Sequence, residues 1–360
     1  MDVAVALLLT LFLGLIVRLV LFHPRNPNAP PCLRGWVPWF GAAFQFGAAP
    51  LEFIEQARIQ YGQIFTVFAL GNRYTFVTEE EGIQVFCTSK DADFEQAVQR
   101  SVQNAGKTFN FHRLYSMMKG KLSTSNLHLL SGTLCKELHE HMEYLGPEGN
   151  EELCDLVRLS VLVLLQVAFW TLAFVISQPS IYKIIMEDLV SVYGKAGKEK
   201  IDVSEDDLKK LPFIKWCILE TIRLRAPGTI TKKVINPIKI QNFIIPVGDM
   251  LMMSPYWLHR NPKYFPEPEM FKPDRWKEAN LEKNAFLDGF MAFGVGTHQC
   301  PGRWLAIMEI HVLVVLFLYK YEFVLLDPVP KEVKYFYPMK CIALITSERR
   351  ATHDQSFSVR

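Results

Sequence analysis

No CxxC pair occurs among the seven cysteines (Cys32, Cys87, Cys135, Cys154, Cys217, Cys300 and Cys341). An odd, scattered count without a framework excludes a disulfide-stapled secreted domain and points to a reducing compartment. Charge of one sign is lacking too. Thirty-nine basic side chains face 37 acidic ones in 360 residues, a net +2, so there is no electrostatic footprint for nucleic acid. Repeats and low-complexity tracts are absent, which excludes solenoids and linker-rich arrays. The first apolar run has no basic n-region before it and no small-x-small site after it, which argues against a cleaved signal peptide.

That run reads VAVALLLTLFLGLIVRLVLF from Val3 to Phe22. As a helix it reaches about 30 Å, the thickness of a bilayer core. Residues 1–23 are therefore predicted to be a membrane anchor, with Arg18 snorkelling to one interface. Asp2 precedes the span while Arg25 and Arg34 follow it, which puts the C-terminal bulk in the cytosol by the positive-inside rule. Pro24, Pro27, Pro30 and Pro31 come next. They cannot continue a helix, so residues 24–34 read as a stiff hinge.

Residues 35–350 read as one body, mainly α with a small β-sheet. The segment APLEFIEQARIQYG has helical apolar spacing and stops at Gly62. Two aromatic and β-branched runs, IFTVFAL and RYTFVT, flank Gly71-Asn72 and predict a hairpin. Helix is expected over EEEGIQVFCTSK and from Phe111 to Tyr144. His139 and His141 there lie two apart and so on different faces, which makes them a solvated face rather than a metal site. The apolar segment 156–177 is long enough to span a bilayer, but Gln166, Trp170 and Thr171 interrupt it, so it reads as a buried central helix. SEDDLKKLPFIKWCILETIRLRAPG reads as one helix with an acidic first turn. Short strands follow in KKVIN, PIKIQNFIIP and DMLMMS, and a last helix runs from Gly302 to about Tyr319.

The chemistry concentrates in FMAFGVGTHQCPGRW, residues 290–304. Pro301 suits a first helical turn, which places the Cys300 thiol where free N–H groups and a helix dipole favour a thiolate. Gly296 permits positive φ, and Gly302 lets backbone approach a flat ligand. Phe293 shields the sulfur from water, and His298 can reach an anionic group on the ligand's rim. These are the demands of a thiolate bound axially to heme iron. A dinucleotide reading of GVGTH fails because the third glycine and the preceding strand are missing. Elsewhere, Glu220 and Arg223 share a helix face at i, i+3, a pair common by chance. Arg275, in the proline-rich stretch ending Phe271-Lys272-Pro273-Asp274-Arg275-Trp276, supplies a second guanidinium for the same carboxylate.

ExxR at 220–223, FxPxRW at 271–276 and FxxGxHxCxG at 293–302, in that order, resemble the cytochrome P-450 monooxygenases. PPCLRGWVPWFG, IKWCILETIRLRAPG and the Cys300 loop are most similar to the sterol 7α-hydroxylase branch. The resemblance implies a cytochrome P-450 fold, with Cys300 as the iron ligand of heme b and Phe293, Gly296, His298 and Gly302 around it. Lys232 stands where an arginine commonly holds a propionate. Glu220, Arg223 and Arg275 become the structural triad. It further implies O2 and NADPH-derived electrons from a membrane-bound cytochrome reductase, and a sterol or oxysterol substrate entering from membrane lipid. Cholesterol and bile-acid metabolism at the endoplasmic reticulum follow as the setting.

The chain departs from this pattern in one region. Only 100 residues separate Gly120 from Glu220, fewer than the resemblance implies, which places an internal deletion near 155–166 and leaves the distal half of the fold incomplete. Counting back from Pro179, Val163 occupies the position where the family usually has Thr and this branch Asn. The usual tryptophan and arginine of the third helix are not evident in FHRLYSMMKGKL. Two readings follow: a working sterol monooxygenase, or a catalytically impaired short form lacking the substrate lid.

Overall fold

The structure is a computed structural model that describes residues 5, 8, 10–15, 27–35, 37, 39–103, 111–143, 148–152, 162–195, 200–225, 228–283, 285–325 and 342–346. In chain order the first elements are β1 (Cys32–Arg34), α1 (Ala43–Ala48), α2 (Pro50–Tyr61), β2 (Ile64–Ala69), β3 (Asn72–Val77), α3 (Glu80–Thr88), β4 (Ala92–Asp93) and α4 (Phe94–Gln103). There follow α5 (Phe111–Lys121), α6 (His128–Glu143), β5 (Glu148–Glu152), α7 (Leu162–Ile176), α8 (Pro179–Tyr193), α9 (Glu205–Lys209) and α10 (Pro212–Arg225). The last are β6 (Ile230–Val234), β7 (Ile238–Ile240), β8 (Phe243–Ile245), β9 (Met250–Met253), α11 (Pro255–His259), α12 (Arg303–Lys320), β10 (Glu322–Leu325) and β11 (Ile342–Thr346). The expected class, mainly helical with a small sheet, is the observed one.

Contacts divide the chain into two units, residues 1–109 with 229–254, and residues 110–228 with 255–360. The first holds a six-stranded mixed sheet ordered β1-β2-β3-β9-β6-β4 and the small β7–β8 hairpin. The predicted hairpin pairs β2 with β3, from Ile64↔Val77 to Ala69↔Asn72. Its turn is Leu70-Gly71 rather than Gly71-Asn72. Both residues take positive φ, 49° and 73°, the combination that matches the strands' right-handed twist. A Cβ on Gly71 would lie 2.8 Å from Trp39 Nε1, so the glycine fills a steric need as well. In the sheet, buried Asp249 accepts Arg73 Nε at 2.7 Å and Thr75 Oγ1 at 2.9 Å.

The second unit is built around α7, α10 and α12. Residues Phe169, Trp170, Leu172, Ala173 and Val175 of α7 are all buried, so the described part of the long apolar segment is a core helix, as expected. Burying each large apolar side chain contributes roughly 1.5–3 kcal/mol. α12 is buried on nearly all sides, from Ile307 to Tyr319, which explains why its sequence shows no polar face. Where one helix was expected over 204–225 there are two. Ser204 and Asp207 form a capping box on α9, and Pro212, which cannot donate an N–H to a continuing helix, starts α10 afresh. His139 also departs from the solvated-face reading: its Nε2 lies 2.8 Å from Ile201 O. A third sheet, β10-β11-β5, completes this unit.

Of the predicted anchor, residues 5, 8 and 10–15 are described; they are helical and exposed. The rest of it lies outside the described residues, as do residues 24–26 of the predicted hinge and residues 153–161, most of the region 155–166 in which the deletion was placed. The remainder of the hinge is described, and its end, Cys32–Arg34, is strand β1, paired with β2. Among the described residues no single helix is long and apolar enough to cross a membrane.

Candidate active site

The site begins with a buried carboxylate. Glu220 is fully buried on α10, a helix whose 3.6-residue period brings Arg223 onto the same face. Its Oε1 accepts Arg223 Nη2 at 2.8 Å and Arg275 Nε at 3.0 Å. Its Oε2 accepts Arg223 Nε at 2.9 Å and Trp276 Nε1 at 3.0 Å. The Lys272 amide donates to Oε1 at 2.9 Å. The two arginines thus meet on one carboxylate as expected, with Trp276 and Lys272 N completing a set that sequence reasoning had not assembled. A charge stripped of water is stable only when so fully paired.

Arg223 works in two directions. Its Nη1 donates to the carbonyls of His259 at 2.7 Å and Pro268 at 2.6 Å, and Nη2 to Met270 O at 3.1 Å. The proline-rich segment 260–276 has little regular structure of its own, so this guanidinium supplies the donors its carbonyls need.

His259 is the functional residue that sequence reasoning missed. Fully buried at the end of α11, it places Nδ1 3.1 Å from Arg223 O and accepts the Met291 amide on Nε2 at 3.1 Å. Acceptance at Nε2 makes Nδ1 the protonated nitrogen. Burial first, then the Arg223 and Arg260 charges, push its pKa down to about 3, so the ring stays neutral and keeps this tautomer. His259 opens the proline-rich stretch, in His259-Arg260-Asn261-Pro262, but nothing local says that its ring joins α10 to residue 291.

An aromatic wall continues from there to the thiol. His259 stacks on Phe290 at 5.0 Å, and Trp276 meets Phe290 edge-on at 4.8 Å. Phe286 stacks on Phe293 at 5.7 Å and on Trp304 at 4.9 Å. The loop itself closes through Cys300 N donating to Phe293 O at 2.7 Å and Gly294 N to Met291 O at 3.0 Å. Gly296 adopts φ +64° as expected; Gly294, which the sequence reading passed over, adopts +81°. This pair of left-handed residues turns the loop back on itself, a conformation that side chains with a Cβ rarely adopt.

Cys300 is the exposed one among the free cysteines described; Cys135 and Cys217 are buried. It sits farther from the helix than expected, because α12 begins at Arg303 with Gly302 as its N-cap. Pro301 and Gly302 form a turn instead. His298 closes a short 3-10 turn and is exposed, its ring 6.2 Å from that of Tyr115. No atom lies within 4 Å of a Cβ built on Gly296, and a Cβ on Gly302 would meet only Leu122 Cδ1, at 3.6 Å. The loop therefore presents a thiol beside backbone stripped of side chains, a surface that suits a flat macrocycle with one axial sulfur ligand. Phe293, Gly296, His298, Cys300 and Gly302 all share this loop. Lys232 belongs to the other unit, where its ammonium donates to Phe86 O at 2.8 Å and lies 5.0 Å over the Phe86 ring; burial holds its pKa down.

Among the described residues no cluster of three or more His, Cys, Asp or Glu side chains could hold a bare metal ion. Residues 165–349 match the family model Cytochrome P450. The chain is 45% identical to the 24-hydroxycholesterol 7-alpha-hydroxylase of Homo sapiens over 437 aligned positions, covering 89% of this chain and 93% of that protein. Its similarity to the Mus musculus protein of the same name is 44% over 444 positions, covering 92% and 93%. The lanosterol 14-alpha demethylase of Candida tropicalis is 26% identical over 175 positions, covering 42% and 33%. An alignment of 437 positions is longer than the 360-residue chain, so it passes over positions of the human protein to which this chain contributes no residue. With its motif set, its helical fold and these relatives, the chain belongs to the cytochrome P450 family, the heme-thiolate monooxygenases.

Proposed function

We propose that this chain is a membrane-anchored monooxygenase that hydroxylates an oxysterol at the 7α position, with Cys300 as the residue that would hold the iron of heme b. One observation carries the reading: Cys300 is exposed on a loop whose backbone is closed by Phe293 and tied through His259 to the Glu220–Arg223 lock. Identity to two 24-hydroxycholesterol 7-alpha-hydroxylases over about nine-tenths of the chain supports the substrate class.

Heme iron bound there supplies the centre at which O2 is activated by NADPH-derived electrons delivered through a cytochrome reductase. The chain's own groups do the rest. Cys300 offers the sulfur. Phe293, stacked on Phe286, takes the place the family resemblance gives to the residue that shields the sulfur once heme covers the exposed face of the loop. His298 is the propionate contact that the family resemblance implies, and Lys232 stands where the family commonly has a propionate-binding arginine. Glu220, Arg223 and Arg275 hold the segment behind the loop rigid, so the thiol does not wander. Exposed Leu8, Leu11, Phe12, Leu13 and Leu15 in the N-terminal helix suit an anchor in the endoplasmic reticulum membrane, with the body cytosolic and sterol supplied from lipid, in cholesterol and bile-acid metabolism.

A second reading is favoured by the alignment that outruns the chain. A segment absent between Gly120 and Glu220 removes distal wall and lid, and Val163 has no group to relay a proton. Water reaching an uncovered centre diverts electrons from substrate. This short form then holds heme with impaired turnover.

The reduced carbon-monoxide difference spectrum of the full chain in membranes, followed by turnover of 24-hydroxycholesterol with reductase and NADPH, tests both readings. A thiolate-type band with 7α product supports the enzyme, and the same band with NADPH consumed but no product supports the impaired form. A neutral-ligand band, or no heme, overturns Cys300 as ligand.

A further inference from the structure

The hydroxyl of Tyr115, on α5, donates to the carbonyl oxygen of Gln299 at 2.6 Å, across 184 residues of sequence. Gln299 immediately precedes Cys300. The peptide joining these two residues is therefore held at both ends, its oxygen by Tyr115 and its nitrogen by the Phe293 carbonyl at 2.7 Å. A peptide group is planar. Gripping its oxygen and its nitrogen together prevents the plane from turning about the chain, and the orientation of that plane, together with φ of Cys300, sets the direction of the Cys300 Cα–Cβ bond.

The Cys300 carbonyl on the far side accepts Arg303 Nη1 at 2.9 Å and Arg303 N at 3.4 Å. Both the Phe293 and Arg303 grips come from residues within a few positions of the thiol. Tyr115 supplies the grip that depends on tertiary structure, from a helix whose own sequence, FHRLYSMMKGK, shows nothing of it. Burial is the main influence raising its pKa, opposed by the Arg303 charge, so the phenol keeps its proton and remains a donor.

A tyrosine satisfying a carbonyl is common enough to need a comparison. Tyr321 does the same, with its hydroxyl 3.2 Å from Met142 O in a buried setting. It acts on a helix end; Tyr115 acts on the peptide that carries the thiol. We propose that Tyr115 is a positioning residue for Cys300, fixing the Gln299–Cys300 peptide so that the sulfur is held in the direction of its ligand. The proposal rests on the reading of Cys300 as the heme ligand.

Tyr115→Phe and Tyr321→Phe in the full chain test it, each variant losing one hydroxyl-to-carbonyl bond. Hydrogen–deuterium exchange, read on peptides spanning residues 290–304, needs no heme. The Cys300 amide is expected to exchange about five- to tenfold faster in Tyr115→Phe, the equilibrium worth of one intramolecular hydrogen bond, and at the wild-type rate in Tyr321→Phe. In heme-loaded membranes the carbon-monoxide spectrum of Tyr115→Phe is expected to shift partly from the thiolate-type to the neutral-ligand band at unchanged urea midpoint. Exchange and spectrum unchanged in Tyr115→Phe, or changed equally in Tyr321→Phe, would overturn the role of Tyr115. A wild-type chain with no thiolate band would instead overturn the reading of Cys300 itself.

Discussion

His259 Nε2 accepts the backbone amide of Met291 at 3.1 Å, while Nδ1 of the same ring bonds Arg223 O at 3.1 Å. One neutral imidazole thereby joins the helix bearing the buried ion pair to the start of the thiol loop. The Met291 bond needs the uncharged ring, because Nε2 must keep its lone pair; the proton then sits on Nδ1, which donates to the Arg223 carbonyl.

Replacing this ring tests the join. His259→Phe keeps the stacking area against Phe290 but leaves the Arg223 carbonyl and the Met291 amide without partners. An unsatisfied buried polar group costs about 1–3 kcal/mol, so a stability loss of about 2–4 kcal/mol is expected from the pair. Urea denaturation measures it, and a midpoint equal to wild type would show that the bridge carries no weight.

Acid should loosen the same region. His259 and His311 are both fully buried, and burial holds each pKa down to about 3 against an ordinary 6.5. The unfolded chain therefore takes up these protons before the folded one does. Stability is complete above about pH 6.5 and falls as pH drops toward 3, because the unfolded state binds more protons across that window. Urea midpoints measured every half unit between pH 7 and 4 should decline, and His259→Gln should flatten the slope. A profile that is level from pH 7 to 4 would contradict the neutral-ring assignment.

The lock itself tolerates no half measures. Glu220→Gln removes the charge that two guanidiniums share and strands Arg223, which is 1% exposed. Breaking a buried pair from one side costs about 3–5 kcal/mol, a large share of a typical domain's stability. The expected result is loss of folded protein, read as soluble yield and circular dichroism. Arg275→Lys is milder, since Arg275 gives Glu220 only its Nε and lies nearer the surface.

Cys300→Ser separates ligand from fold. The side chain is exposed and the loop's hydrogen bonds use its backbone, so the urea midpoint should stay at the wild-type value while the thiolate-type carbon-monoxide band disappears. Retention of that band would assign the ligand to another residue.

Much of this is legible in the sequence. The β2–β3 hairpin, the short strands β6 to β9, the last helix and the core character of residues 167–175 follow from period and turn chemistry, which are local. So does the grouping of Phe293, Gly296, His298, Cys300 and Gly302, because one short loop carries them all. The break at Pro212 was missed because the acidic first turn and the apolar run beyond it read as one continuous pattern. His259, Trp276 and Tyr115 escaped notice as parts of one network for a different reason. Their partners lie 36, 56 and 184 residues away, and no periodicity spans such separations.

The sequence by itself determined the main helices, the β2–β3 hairpin, the thiol loop and the residue types of the ion-pair lock, since backbone geometry and side-chain chemistry are properties of neighbours along the chain. Tertiary structure alone decided that Glu220 gathers donors from two arginines, a tryptophan and a main-chain amide, that His259 takes one tautomer, and that Tyr115 grips the peptide before Cys300. Those are choices of orientation. They are made only when packing removes water and each buried polar atom must find its partner from a distant part of the chain.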